Sequence, residues 1–181
     1  MKRQNKFRVH GPFPVPVEKR LGIVDDDHLN KSFWSTEGTL EELATSRGCY
    51  VFAIRAGKGY TPCYIGQATK GFARECFQPH KLLKFGKALL SRQKGTPVMF
   101  FVVHPPVKQG RINGTEIDDI ESYLINLGAT HNPRLLNERG REAPTWSIDG
   151  VVRAGRGKPS HEAREFKKLF GLNGHQHIAH H

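Results

Sequence analysis

Gly48-Cys49-Tyr50-Val51-Phe52-Ala53-Ile54, the turn Gly57-Lys58-Gly59, and Pro62-Cys63-Tyr64-Ile65-Gly66 decide how this chain is read. Both flanking runs are rich in aromatic and β-branched residues, and the glycines between them allow a reversal. Two such runs around a Gly-rich turn predict a β-hairpin. Upstream, Thr39-Leu40-Glu41-Glu42-Leu43-Ala44 has Thr39 three residues before Glu42, a capping-box spacing that predicts a short helix. Downstream, residues 71–93 carry a helical pattern, interrupted at Pro79 because proline cannot continue a helix. Val98-Met99-Phe100-Phe101-Val102-Val103 does not alternate, which predicts a strand buried on both faces. A further helix is predicted from Thr115 to Gly128, and a last one from about Ser160 to Phe170. The core therefore reads β-β-α-α-β-α, an α+β fold with a small three-stranded antiparallel sheet flanked by helices.

The ends read differently. Residues 1–24 are basic and then carry Pro12, Pro14 and Pro16, which predicts an extended arm; the arm as a unit is taken as residues 1–38. Residues 141–181 read as a C-terminal extension with one helix and a tail, His175 to His181, holding four histidines. That tail could bind a metal, with disorder or a remnant of cloning as the plainer reading. Trp146-Ser147-Ile148-Asp149-Gly150-Val151-Val152-Arg153 is read either as a specificity element or as a core segment anchored by Trp146.

Among 181 residues, 28 are Lys or Arg against 17 Asp or Glu, a formal charge of +11. Such an excess favours a polyanionic partner, whose counterions are released on binding, over a role in solubility alone. Cys49, Cys63 and Cys76 are odd in number and lack CxxC spacing, so neither a disulfide framework nor a zinc ribbon is indicated. No apolar run approaches the ~20 residues of a membrane helix, and the N-terminus has no apolar signal core. The expectation is a cytoplasmic protein.

In the helix after Thr115, Ile117, Ile120, Leu124, Ile125 and Leu127 share one arc at about 100° per residue, and Glu121 falls inside its flank. A carboxylate at such a place needs a cation or a hydrogen-bond network. A hard divalent ion is one such partner and a structural arginine is another. Arg74 stands opposite Phe72 on its helix, either as a clamp for a phosphoryl group or as a solvated surface residue. Lys81, Lys84 and Lys87 recur every three residues, with Arg92 and Lys94 beyond, as a solvated face or a track along a phosphate backbone.

Taken together, Gly48-Cys49-Tyr50 with Tyr64-Ile65-Gly66, Arg74 eight residues later, Glu121 in a later helix, and Asn132-Pro133-Arg134-Leu135-Leu136-Asn137 resemble the GIY-YIG nuclease superfamily over residues 46–138. The resemblance implies a nuclease domain over 39–140 that cuts DNA with one Mg2+ (or Mn2+) held by Glu121. It also implies catalytic roles for Tyr50, Tyr64, Arg74, Glu121 and Asn137. The chain departs from the pattern at Gln78, where the family often has His or Tyr; glutamine is no base, and His80 is the nearest substitute. Phosphate contacts are expected from Lys81, Lys84, Lys87, Arg92, Lys94 and Arg134, with Arg139, Arg141, Arg153, Arg156 and Lys158 as extensions. One site per chain would cut both strands by sequential nicking or as a homodimer. The competing reading is a nucleic-acid-binding module with this fold and no turnover.

Overall fold

A computed structural model describes residues 5–17, 31–35, 38–91, 95–106, 112–132, 146–152 and 157–172. Strand β1 (Asn5–Pro14) is followed by a helical turn α1 (31–34), helix α2 (Thr39–Ala44), and strands β2 (Gly48–Ala56) and β3 (Gly59–Ala68). Next come α3 (Phe72–Glu75), α4 (Pro79–Ser91), β4 (Thr96–Val103), α5 (Gly114–His131), β5 (Trp146–Ile148) and α6 (His161–Leu169). The hairpin, the break at Pro79 and the buried strand lie where the sequence puts them. Pro79 opens α4, a position where its missing N–H has no partner to lose. Ser160 caps α6 by accepting from the Ala163 N–H at 3.2 Å. The Thr39 capping box does not form: Gly38 is the N-cap of α2 and no side chain caps it.

The small three-stranded antiparallel sheet is corrected. The sheet has five strands in the order β3-β2-β4-β1-β5, with β1–β5 parallel and the other pairings antiparallel. Residues 5–14, expected to be part of a basic arm, form β1 alongside β4. Lys6-Phe7-Arg8-Val9 alternates, and Phe7 and Val9 are buried while Lys6 and Arg8 are exposed. The register shifts between His10 and Phe13, the irregularity that lets a proline-bearing segment stay in a sheet. The segment after Trp146 is also structural: residues 146–148 pair with residues 5–7, and Ile148 is fully buried.

Helices cover both faces. Cys49, Val51, Ala53, Ile65, Val98, Phe100 and Val102 pack against Ile117, Ile120 and Leu124 of α5 and Phe166 and Leu169 of α6. The alternate residues Tyr50, Phe52, Met99 and Phe101 pack against α1 to α4 through Phe33, Trp34, Leu43, Phe72, Leu82 and Phe85. A strand's period of two thus sends Tyr50 to the α4 side and Cys49 to the α5 side. Among the described residues no helix is long and apolar enough to cross a membrane.

Candidate active site at the edge of the sheet

Strand β3 is one edge of the sheet, and α5 is strapped along it at two points. The Gln67 backbone N–H donates to the Glu121 carboxylate, and the Asn132 side-chain amide donates to the Pro62 carbonyl at 3.0 Å. Eleven residues of helix and five of strand both span about 16 Å, so the two attachments are commensurate. Asn132 opens the closing segment of the motif; it fastens helix to strand.

Tyr50 pairs across the hairpin with Gly66. A Cβ on Gly66 would lie 2.5 Å from the Tyr50 hydroxyl oxygen and 2.6 Å from Cζ, so glycine makes the seat for that phenol. Gly48 answers a different demand: at φ 145° a Cβ would run into the Val102 carbonyl. Tyr64, half-buried, has its ring 6.1 Å from that of Tyr50. The Lys84 ammonium lies 4.8 Å from the Tyr64 ring centroid, and the Lys81 ammonium 5.3 Å from the Tyr50 centroid.

Lys81 is the residue the sequence reading misplaced. It is buried, and its Nζ donates to the Glu75 carbonyl at 2.7 Å, so it belongs to the interior of the site and not to an exposed track. Phe77 and Phe85, four residues to either side, are buried, and that spacing was the signal available. Lys84 and Lys87 are exposed, as expected of a track. Arg74 is exposed on α3 between buried Phe72 and Cys76, and His80 is exposed at the start of α4. Among the described residues Arg74 and Glu121 form no ion pair. Arg92, Lys94, Arg134, Asn137, Arg139, Arg141, Arg153, Arg156 and the histidine tail lie outside the described residues. Lys158 is exposed.

The charged groups act on one another across the edge strand. Burial raises the Glu121 pKa and the nearby Asp118 raises it further, while the Gln67 N–H and the Lys81 ammonium pull it down. Burial also pushes the Tyr50 phenol far above its ordinary range, with Cys76, Tyr64 and Glu121 adding to the effect. The Tyr50 hydroxyl has no partner at ordinary hydrogen-bond length among the described residues. It is still close enough to Tyr64 that Tyr50 holds its proton harder and Tyr64 less hard for the other's presence. Burial nonetheless leaves the Tyr64 pKa raised. Tyr50 is therefore a neutral donor; nothing among these residues turns it into a base.

The residues suit a divalent cation held by few protein ligands. Glu121 is a carboxylate whose burial and acidic neighbour penalise its charge, and it has no ion pair among the described residues. No three His, Cys, Asp or Glu side chains gather into a cage among the described residues, so an ion there would lean on Glu121, water and neutral oxygens. Compared with family models, curated proteins and solved structures, the chain matches none.

Proposed function

We propose that the protein is a divalent-metal-dependent DNA endonuclease that hydrolyses phosphodiester bonds at a single-metal site of the kind its motifs resemble in the GIY-YIG superfamily. The supporting observation is convergence: Tyr50 and Tyr64 come from neighbouring strands with ring centroids 6.1 Å apart, and the Glu121 charge, from the opposite helical layer, raises the pKa of both. Glu121 would hold the Mg2+ or Mn2+ ion, whose chemistry when bound is neutralisation of charge at the leaving oxygen. Arg74 offers a solvent-facing guanidinium for the charge that grows on the non-bridging oxygens. Tyr50 donates its proton in a hydrogen bond and so orients the attacking water or a phosphate oxygen, with Tyr64 beside it. His80 is the side chain we assign to take the proton from water, since Gln78 cannot. Asn137 holds the geometry, and Lys84 and Lys87, extended by Arg92, Lys94 and Arg134, run along the DNA backbone. We place the protein in the cytoplasm, with a homodimer as the assembly that would cut both strands at once.

A second reading has an observation in its favour. Gln78 supplies no base, Tyr50 keeps its proton, and Lys81 already puts a cation beside Tyr50, features that suit a DNA-binding module without turnover. Supercoiled plasmid with Mg2+ separates the two. The nuclease reading expects nicked or linear DNA from the wild type, lost in Glu121→Ala and reduced about 100-fold or more in Arg74→Ala. Retention of DNA without cleavage, with Mg2+, Mn2+ and Ca2+ alike, would establish the binding module instead.

A further inference from the structure

The Gln67 side chain stands outside the roles assigned to Tyr50, Tyr64, Arg74 and Glu121. Its Oε1 is buried and has no hydrogen-bond partner among the described residues. A buried carbonyl oxygen without a donor costs about 1–3 kcal/mol, so its position calls for a reason.

Its surroundings supply one. Ile65, two residues earlier on β3, faces α5, and the strand period places the Gln67 side chain on that same face. Cys49, its partner across the hairpin, donates from Sγ to the Ile117 carbonyl at 3.4 Å, one turn before Glu121 on α5. The backbone N–H of Gln67 itself donates to the Glu121 carboxylate. Asp118 adds its negative charge to the same neighbourhood, acting on both Glu121 and Cys49. Among the described residues, the face between β3 and α5 therefore brings together the Glu121 carboxylate, the Asp118 charge and the Gln67 side-chain oxygen.

We infer that Gln67 Oε1 is a second protein ligand for the divalent ion at Glu121. The assignment rests on the nuclease reading for the ion's presence and goes beyond it in naming a neutral oxygen ligand. A carboxylate with an amide carbonyl is a donor set for a hard cation such as Mg2+, Mn2+ or Ca2+, and a poor one for Zn2+. Gln67 also couples metal to fold: its N–H holds Glu121 in place while its own carbonyl completes the site.

Mn2+ binding to the full-length protein, measured by electron paramagnetic resonance of the free ion, tests this without relying on cleavage. Wild type should bind one Mn2+, Glu121→Gln should abolish binding, and Gln67→Leu should weaken it about tenfold or more with circular dichroism unchanged. Gln67→Glu, which keeps an oxygen and adds charge, should bind at least as tightly as wild type. If Gln67→Leu fails to fold, the Gln67→Glu result decides: tighter or equal binding supports the ligand role and weaker binding overturns it. Wild-type affinity in a folded Gln67→Leu overturns the inference and leaves the Glu121 site standing. A wild type that binds no Mn2+ overturns both.

Discussion

Tyr50 carries a buried hydroxyl beside Tyr64, with no partner at ordinary hydrogen-bond length among the described residues, and Gly66 makes the room for it. A buried hydroxyl without a partner at ordinary length adds little to stability. Tyr50→Phe should therefore leave the urea midpoint unchanged or slightly higher, and lower the plasmid nicking rate by about 10- to 100-fold. A clear loss of stability would mean that the phenol had a structural partner. Glu121 permits a second test with its sign worked out. Its folded-state pKa is raised, chiefly by burial, so its ionisation costs stability once pH exceeds the unfolded value, and the cost is complete above the folded one. In metal-free protein, Glu121→Gln should melt higher than wild type at neutral pH, with the difference fading as acid protonates the carboxyl. Equal melting at neutral pH would mean that the carboxylate is better compensated than its surroundings suggest. Glu121's odd place on the apolar arc was readable from periodicity, because a helix repeats locally. Gln67 was not readable, since its significance comes from a strand edge that only pairing creates.

At the scale of elements, α4 divides its lysines between two tasks. Lys84 and Lys87 are exposed, whereas Lys81 is folded under onto Tyr50 and the Glu75 carbonyl. Lys84→Ala should weaken DNA binding evenly across sequences and reduce the slope of log affinity against log salt by about one. Lys81→Met should leave that slope alone and lower the cleavage rate. If both variants change the salt slope equally, Lys81 is reaching DNA and its inward placement is wrong. The three-residue spacing of these lysines reads as a single row, and only the buried flanks Phe77 and Phe85 distinguish Lys81 from the others. The hairpin β2–β3 was legible for the opposite reason: its strands are joined by a short turn and carry their own pattern. Thr39 shows where a local rule gives way, because Gly38 takes the cap and leaves the threonine inside the first turn.

Over the whole molecule, residues 5–14 and 146–148 complete the sheet. β1 pairs with β4 across about ninety residues of sequence, and β5 then adds to β1 in parallel. Proline and positive charge in residues 1–24 hid the alternation of Phe7 and Val9, and no local signal announces a partner so distant. Phe7 is fully buried against the α5–α6 layer, so Phe7→Ala should cost about 3–5 kcal/mol in urea unfolding. A solvated arm would show almost no loss. The charge of +11 belongs to this scale too, and the proposed reaction uses it to hold DNA along the α4 side of the β3 edge. That reaction depends on a cation sitting beside Glu121 and within reach of both tyrosines. An anomalous difference map from a crystal soaked in Mn2+ tests this most directly. The expected result is one strong peak at ~2.1 Å from a Glu121 carboxylate oxygen, on the side facing Tyr64 and Arg74. A carboxylate turned away from the tyrosines with no peak beside it would contradict the account.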